Sequence, residues 1–261
     1  MDSEGKLLLI TLEGIDGSGK STVYRALQES LVDLDPVFTR EPGATWIGDS
    51  VRRAIAEQMD PVTEATLFVA DHAAHLAKII RPALAAGKLV ISDRYSDSRY
   101  AYQAVTLKGV IPEPEEWLRA LHNNWTIKPD KTFLFVLPVD EAISRLKPQN
   151  EREHFEKREV LEHVQNNYLK FARNDPSRFV VVDAMKEKGE IAMFVADAIR
   201  QILQSSHSRR RSRSHQLLLL PRHRRTWVQM RFPVSLLHYP QEGSFLVDLQ
   251  VDRWRVISLQ A

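Results

Sequence analysis

Five short apolar stretches recur along the chain, and a longer segment with helical spacing separates each from the next. Within each stretch the apolar residues follow one another instead of alternating with polar residues, which is typical of strands buried on both faces. Strands of that kind form a parallel sheet covered by helices. The pattern therefore predicts a three-layer α/β fold with a five-stranded parallel sheet, whose strands are LLLITL, PVFT, KLVIS, KTFLFVL and RFVVVD.

Apolar residues at helical spacing also predict longer helices between and after these strands. Proline removes a backbone donor and clashes with the preceding turn, so Pro82 is expected to kink or end the third helix. The helices are predicted at residues 21–31, 46–58, 62–86, 113–122, 155–172 and 187–203.

The formal net charge of +2 hides an uneven distribution of charge. Residues 205–261 hold ten arginines against Glu242, Asp248 and Asp252, a formal charge of +7, which leaves −5 for residues 1–204. This shift predicts a main domain at residues 1–204 and an irregular, Arg-rich extension at residues 205–261. The extension could bind nucleic acid or an anionic membrane surface, but the composition of SSHSRRRSRSH favours a solvated linker without a role. Nucleic acid is expected as a partner only through this extension.

The chain contains no cysteine, which excludes a disulfide framework and any thiolate metal site. The acidic start MDSEGK, and the polar Thr11 and Glu13 in the first apolar stretch, argue against a signal peptide and against a membrane-spanning helix. A cytoplasmic protein is therefore expected.

The first apolar stretch runs directly into a glycine-rich segment that opens the first predicted helix. Its spacing, G-x-x-x-x-G-K-S, is that of a P-loop, whose backbone amides and following helix N-terminus bind the phosphates of a nucleotide. Lys20 is expected to reach the β- and γ-phosphates and Ser21 to bind Mg²⁺, which a plain strand-to-helix turn would not require. The expected ATP-binding residues are Gly14, Ile15, Asp16, Gly17, Ser18, Gly19, Lys20, Ser21 and Thr22.

Asp93 and Arg94 end the third apolar stretch, at the carboxyl edge where open α/β sheets bind ligands. Asp93 is expected to orient Mg²⁺ through water, and Arg94 offers a planar fork of donors that can grip the phosphate that accepts the transferred group. The alternative is an Asp–Arg pair that only caps a helix. Because this pair occurs in a chain with a P-loop, a catalytic role for Asp93 and Arg94, together with Lys20, is favoured.

Four motifs follow one another along the chain: the P-loop, TREPG, LFVADHAAH and DRYSDSRYAYQ. Together they resemble the thymidylate kinase family, and in particular its archaeal members. The match extends over roughly residues 6–203. The resemblance implies the P-loop NTPase fold, a homodimer, and Mg²⁺-assisted transfer of the γ-phosphoryl group of ATP to the 5′-phosphate of dTMP, giving dTDP and ADP.

Further residues match family positions at the site of the acceptor, dTMP. Asp16 matches the carboxylate that contacts the deoxyribose 3′-hydroxyl, Arg52 an arginine on the acceptor phosphate, and Phe68 the aromatic that stacks on thymine. A solvated helix face for Arg52 and a core position for Phe68 are the alternatives. Tyr102 matches a position against the sugar, where it would exclude a 2′-hydroxyl. The resemblance also assigns to this site Glu41, Pro42, Ser98, Arg99 and Gln103.

One position departs from the family pattern. Members commonly carry arginine four residues after the stacking phenylalanine, and this chain has His72, a shorter and titratable donor. Arg99, where many members have a small polar residue, would compensate for it at the thymine contact. A surface position for His72 and His75 is the alternative, and a kinase for dUMP, dCMP or another nucleoside monophosphate is the alternative function.

The segment ISRLKPQNEREHFEKREVL, residues 143–161, resembles the lid of the family. Phosphoryl transfer gathers negative charge between two anionic substrates, so catalysis is mainly positioning and neutralisation of charge. Because the P-loop carries Gly17 and Ser18 where an arginine could stand, the catalytic arginine is assigned to the lid, with Arg152 ahead of Arg145. A solvated cationic loop is the alternative.

A hypothesis from a different class is an inactive nucleotide-binding module that the basic extension recruits to nucleic acid. The presence of Lys20, Ser21, Asp93 and Arg94 argues against lost chemistry. The sequence therefore favours an ATP-dependent dTMP kinase.

Overall fold

The computed structural model describes residues 8–146, 148 and 153–218, and of residues 206–218 only the backbone. Its five strands form one parallel sheet in the order β2-β3-β1-β4-β5. The predicted five-stranded parallel sheet is confirmed. The strands are β1 (Leu9–Gly14), β2 (Val37–Arg40), β3 (Val90–Asp93), β4 (Lys131–Val136) and β5 (Phe179–Asp183).

Helices connect the strands and cover both faces of the sheet. Neighbouring residues of β1 point to opposite faces, and Leu9 and Ile10 accordingly belong to two separate apolar clusters. Each is fully buried, so burial of one such side chain contributes about 1.5–3 kcal/mol. The helices are α1 (Lys20–Ser30), α2 (Trp46–Ala56), α3 (Pro61–His75), α4 (Arg81–Ala85), α5 (Ser96–Ser98), α6 (Ala104–Thr106), α7 (Pro114–His122), α8 (Val139–Ser144), α9 (Arg158–Asn174) and α10 (Lys188–Leu218).

The third predicted helix does not end at Pro82. A π turn, Leu76–Ile80, joins α3 to α4, so the helical run continues past Pro82 to Ala85 and departs from regular α geometry just before the proline. A second π turn, Arg99–Gln103, joins α5 to α6. A π turn holds one more residue than a regular α-helical turn, and such turns are frequent at functional sites.

The last predicted helix is longer than expected, because α10 continues to Leu218 instead of ending at residue 203. The interpretation of SSHSRRRSRSH as an irregular linker is therefore wrong for this stretch. No glycine or proline interrupts the sequence between Gly189 and Pro221, and arginine is a good helix former. The chain divides into two units, residues 1–216 and 217–261, and residues 219–261 of the extension lie outside the described part.

The carboxyl edge of the sheet brings three predicted motifs side by side. The amide of Arg94 donates to the carbonyl of Leu12 at 3.0 Å, and the amide of Glu41 donates to the carbonyl of Asp93 at 3.1 Å. The P-loop, the TREPG turn and the Asp–Arg pair therefore meet at one edge. No helix in the described part of the chain has the length and apolar character that crossing a bilayer requires.

Candidate active site

The P-loop follows β1 and requires glycine at two points. Gly14 has a φ of 145° and Gly17 a φ of 80°, values that residues with a side chain rarely adopt. A Cβ atom on Gly17 would lie 2.2 Å from the carbonyl oxygen of Ala142, and one on Gly14 would lie 2.6 Å from that of Phe135. The loop thus passes too close to its neighbours for any other residue, and it leads into the N-terminus of α1.

Lys20 is folded back on the P-loop and is 5% exposed. Its Nζ donates to the carbonyls of Gly14 and Ile15, both at 2.8 Å, and to Oγ of Ser18 at 3.2 Å. Burial, and then repulsion by Arg94, lower the pKa of Lys20 to about 8, against the attraction of nearby carboxylates. The lysine is therefore a buried cation that a bound phosphate would stabilise.

A cleft surrounds this loop and collects most of the predicted nucleotide-binding and catalytic residues. Lys188, the first residue of α10, also lines the cleft and was missed by sequence reasoning, since a lysine at a helix start gives no motif. The cleft is lined by Asp16, Gly17, Ser18, Gly19, Lys20, Ser21, Thr22, Asp93, Arg94, Arg145, Leu146 and Lys188.

The two predicted metal ligands lie together at the floor of this cleft. Oγ of Ser21 donates to Oδ2 of Asp93 at 3.2 Å, and Oδ1 of Asp93 is buried without a hydrogen-bond partner in the described structure. A hydroxyl and a carboxylate with a free oxygen fit Mg²⁺, which usually binds through one or two such groups and substrate phosphates. No group of three or more His, Asp or Glu side chains among the described residues could hold a metal by itself. A metal ion here would take its remaining ligands from substrate phosphates and water.

Arg94 has a backbone φ of 67°, an uncommon conformation for a residue other than glycine, and such strain occurs at functional sites. Its guanidinium forms an ion pair with Asp16 and donates to the Tyr102 hydroxyl at 3.2 Å. Burial opposes the charge of Asp16, but Arg94 and then Lys20 outweigh burial and hold the pKa of Asp16 below its usual value. The pair is thus ionised and fixed.

A second cavity adjoins the cleft, and it gathers Arg94 and seven of the residues that the resemblance assigned to the acceptor. Ile55, Glu153 and Phe155 line it too and were missed; the last two lie in the predicted lid, where sequence reasoning considered only cations. Tyr102 lies against the P-loop, because its hydroxyl donates to Oδ2 of Asp16 at 2.8 Å. The cavity, called the acceptor cavity below, is lined by Asp16, Pro42, Ile55, Phe68, Arg94, Ser98, Arg99, Tyr102, Gln103, Glu153 and Phe155.

His72 does not line the acceptor cavity but lies behind its wall. Nδ1 of His72 and Nδ1 of His75 are each 2.7 Å from Oε1 of Glu41, and Nε2 of His75 is 2.6 Å from Oγ1 of Thr39. Both histidines and Glu41 are buried, so the alternative of a surface pair is wrong. Burial opposes ionisation of Glu41, but His72 and then Arg99 outweigh it and hold the pKa of Glu41 well below its usual value.

Arg99 connects this buried cluster to the acceptor cavity. Its Nη2 forms an ion pair with Oε2 of Glu41, and its guanidinium lies 4.6 Å from the centre of the Phe68 ring. Nε of Arg99 and Oε1 of Gln103 are buried without a hydrogen-bond partner among the described residues. Both residues line the acceptor cavity, so its wall includes one residue with an unused donor and one with an unused acceptor.

Arg52 lies on α2 at the rim of the TREPG turn. Its guanidinium donates to the carbonyl of Gly43 at 3.1 Å and to Oδ1 of Asp49 at 2.7 Å, and its side chain is 43% exposed. The arginine is thus held near Pro42 of the acceptor cavity without lining it. Its role on the acceptor phosphate stays a prediction.

The two candidate lid arginines are placed differently. Arg145 lines the nucleotide cleft, where its Nε donates to Glu141 at 3.0 Å and Nη1 to the carbonyl of Ala184 at 3.4 Å. Arg152 lies outside the described residues. The assignment of the catalytic arginine to Arg152 ahead of Arg145 therefore stays a prediction.

Glu13 is a further residue that motif reading missed. It is fully buried in β1 directly before Gly14, where it accepts hydrogen bonds from three neighbours. A charged residue inside an apolar strand is itself a signal, because burial of an unpaired carboxylate costs several kcal/mol. In the sequence, that signal served only to argue against a membrane helix.

Comparison with known proteins agrees with this geometry. A family model described as thymidylate kinase matches residues 12–195. The chain is 63% identical to a probable thymidylate kinase of Methanoculleus marisnigri over 205 residues, which span 78% of this chain and 100% of that relative. Probable thymidylate kinases of Methanospirillum hungatei and Natronomonas pharaonis are 53% and 44% identical, over 74% and 75% of this chain and 94% and 99% of their own lengths. The chain thus belongs to the thymidylate kinase family, as its P-loop, Asp–Arg pair and adjoining cavities indicate.

Proposed function

We propose that this chain transfers the γ-phosphoryl group of ATP to the 5′-phosphate of dTMP, yielding dTDP and ADP. One observation carries the proposal beside family membership: Asp16 and Arg94 line both the nucleotide cleft and the acceptor cavity. Two substrates bound on either side of this pair would meet at Arg94. Direct transfer between two bound phosphates is the chemistry that such an arrangement supports.

The transfer requires no nucleophilic side chain, because an oxygen of the acceptor phosphate attacks. The protein supplies position and positive charge: the P-loop amides and Lys20 hold the triphosphate, and Arg94 holds the acceptor phosphate. Ser21, and Asp93 through water, would hold Mg²⁺ together with phosphate oxygens, and the ion would supply further neutralisation of charge. Arg152, with Arg145 as the alternative, adds a cation from the lid.

Selection of the base follows from the unused groups in the acceptor cavity. Arg99 has donors only, so the base edge that faces it must accept a hydrogen bond. Thymine and uracil present a carbonyl at the position where cytosine presents an amino group. Gln103 offers an amide that can accept from a ring N–H, and Phe68 provides a flat apolar wall. These groups favour dTMP or dUMP over dCMP.

Selection of the sugar is assigned to Tyr102 and Asp16. The Tyr102 hydroxyl is fixed by Asp16 and by Arg94, so the ring has no freedom to make room for an added hydroxyl. Asp16 accepts from the 3′-hydroxyl, and Tyr102 excludes the 2′-hydroxyl of a ribonucleotide. The acceptor is therefore a deoxynucleotide.

Three broader proposals accompany this function. The chain is a homodimer and acts in the cytoplasm, and residues 205–261 are an extension that the reaction does not need. Support for the last comes from the family model, which ends at residue 195, and from the relative of Methanoculleus marisnigri, whose whole length matches 78% of this chain. Light scattering on the purified full-length chain tests the dimer.

The decisive experiment measures ADP release with MgATP and a panel of dTMP, dUMP, dCMP, dGMP and UMP. Preference for dTMP supports the proposal, and preference for another monophosphate keeps the chemistry but refutes the base assignment. No acceptor-dependent turnover, with Lys20→Ala equal to wild type, refutes a kinase and favours a binding module.

A further inference from the structure

Glu13 joins three separate parts of the fold at one carboxylate. Its Oε1 accepts from the amide of Tyr95 at 2.8 Å, and its Oε2 accepts from Oγ of Ser98 at 2.6 Å and from the hydroxyl of Tyr168 at 2.7 Å. Tyr95 and Ser98 follow β3, and Tyr168 lies on α9, the helix that begins at the end of the lid segment. Glu13 itself precedes the P-loop, so it connects the loop, the acceptor side and α9.

Ser98 extends this connection to Arg94. Nη1 of Arg94 donates to Oγ of Ser98 at 3.2 Å and to the carbonyl of Gly14, also at 3.2 Å. A hydroxyl has one hydrogen, and that of Ser98 is committed to Glu13, so the lone pairs of Oγ remain for Arg94. The Tyr168 hydroxyl lies 2.9 Å from Oγ of Ser98, and because the hydrogens of both hydroxyls are given to Oε2 of Glu13, the two oxygens are close neighbours without a hydrogen bond between them.

We propose that Glu13 is a positioning residue for Arg94. Its ionised carboxylate accepts the hydrogen of the Ser98 hydroxyl, which leaves Oγ of Ser98 as an acceptor for Arg94, and protonation of Glu13 removes this arrangement. The inference rests on the proposed function, because it takes Arg94 as the residue that binds the acceptor phosphate. A protonated carboxyl is itself a donor, and when it donates to Oγ of Ser98, the serine hydrogen must turn away from Glu13. A serine hydrogen that turns toward Arg94 removes the acceptor that Nη1 of Arg94 uses on Ser98.

The charges around Glu13 make this change possible near neutral pH. Burial, and then repulsion by Asp97 of α5, raise the pKa of Glu13 to about 7, while hydrogen bonds from Ser98 and Tyr168 and the charge of Arg94 act in the opposite direction. Lys20 on α1 also interacts with it electrostatically. The proton on Glu13 is therefore exchanged within the ordinary working range of an enzyme.

The test uses variants that shift this titration without contact to substrate. Tyr168→Phe removes a hydrogen bond to the carboxylate and should move the acid limb of kcat/KM for dTMP to higher pH. Asp97→Asn removes the repulsion and should move the limb to lower pH. Glu13→Gln should abolish this limb and lower kcat/KM roughly 10- to 100-fold at pH 8.5, because Arg94 is misplaced. Ionisation of the dTMP phosphate, with a second pKa of about 6, remains in every variant.

A spectroscopic measurement keeps the proposal separate from the proposed function. In wild-type protein without substrate, the side-chain ¹⁵N resonances of Arg94 should titrate with the same midpoint as the ¹³C carboxyl resonance of Glu13. In Glu13→Gln they should not titrate in this range. Independent titration of the two groups, or an acid limb that is the same in Glu13→Gln, Tyr168→Phe and wild type, overturns the proposal. Joint titration in a protein without dTMP turnover supports the Glu13 connection and refutes only the proposed function.

Discussion

Arg94 and Asp16 form an ion pair on the border between the nucleotide cleft and the acceptor cavity. The two terminal nitrogens of the planar Arg94 guanidinium donate to four groups at once, on Gly14, Ser98, Asp16 and Tyr102. The single ammonium of lysine cannot reproduce this geometry. Arg94→Lys should therefore lower kcat/KM for dTMP on the order of 10³-fold in steady-state assays.

The control for this change is Arg53→Lys, since Arg53 is 77% exposed and pairs only with Glu57 among the described residues. It should leave both rate and melting temperature unchanged. Normal kcat/KM in Arg94→Lys would refute the role of Arg94 on the acceptor phosphate.

Lys20 should make ATP binding depend on pH. Its pKa of about 8 in the nucleotide-free protein means that the charge is lost as pH rises through 8. The dissociation constant for ATP should increase above that pH in wild type, because deprotonated Lys20 attracts phosphate less. Titration calorimetry between pH 7 and 9.5 measures this, and Lys20→Met should bind weakly with no such dependence. A matched control is Lys88→Met, since Lys88 is 42% exposed and pairs with Asp35.

The same lowered pKa of Lys20 has a consequence for stability. Between pH 8 and the usual lysine value of 10.5, the unfolded chain binds more protons at this residue than the folded chain. The free energy of unfolding contributed by Lys20 therefore rises with pH across that range. Urea denaturation of wild type and Lys20→Met at pH 8 and 10 measures it, and parallel curves for the two proteins would contradict the buried charge.

Glu41→Gln should destabilise the fold by about 3–5 kcal/mol at pH 7, because it leaves the Arg99 charge buried without its partner. The pKa of Glu41 is depressed in the folded state, so its contribution is fully present above pH 4.5 and is lost as pH falls below that value. The variant should accordingly show a smaller loss of stability on acidification than wild type. Chemical denaturation at pH 7 and 4 provides the comparison, with the exposed Glu116→Gln as the control.

Arg99→Met should reduce discrimination between dTMP and dCMP. A hydrogen bond from a charged donor contributes about 1.5–3 kcal/mol, so the ratio of the two kcat/KM values should fall roughly 10- to 100-fold. Arg173→Met, a change at an exposed arginine, should leave the ratio unchanged. If Arg99→Met also keeps it, the base is selected elsewhere in the cavity.

Removal of the extension tests the remaining hypothesis about residues 205–261. A chain that ends at Gln204 should keep turnover and melting temperature, because the buried residues of α10, such as Val195 and Ile199, precede that point. Retention on a DNA column that falls with salt and disappears on truncation would instead support a nucleic-acid-binding extension.

The parts of the site that the sequence predicts well depend on neighbours along the chain. The P-loop from Gly14 to Ser21 is one continuous turn, and an apolar run before a charged pair places Asp93 and Arg94 at a strand end. His72 shows the limit of such reasoning. Its helical spacing from Phe68 predicts that the two side chains share a face, but it does not predict that His72 bonds to Glu41 behind the wall of the cavity. That contact joins residues 31 positions apart, so only tertiary packing decides it.

Arg99, Tyr102 and Gln103 are spaced i, i+3 and i+4, so a helical pattern alone places them on one face and predicts that they share a site. The π turn over Arg99–Gln103 was not predicted, because it has no sequence pattern comparable to a P-loop. Glu13 could have been singled out from its charge within a buried strand, but its partners Ser98 and Tyr168 lie 85 and 155 residues away.

The folded-back position of Lys20 bears on how tightly a nucleotide is held. Since its ammonium already bonds to Gly14, Ile15 and Ser18, phosphate contacts made by this lysine exchange existing bonds for new ones, and their net gain is smaller than their number suggests. The loop is in turn preorganised, so little ordering entropy is lost when a nucleotide enters. Nucleotide entry therefore leaves the backbone of the loop in place and mainly changes the partners of one ammonium group.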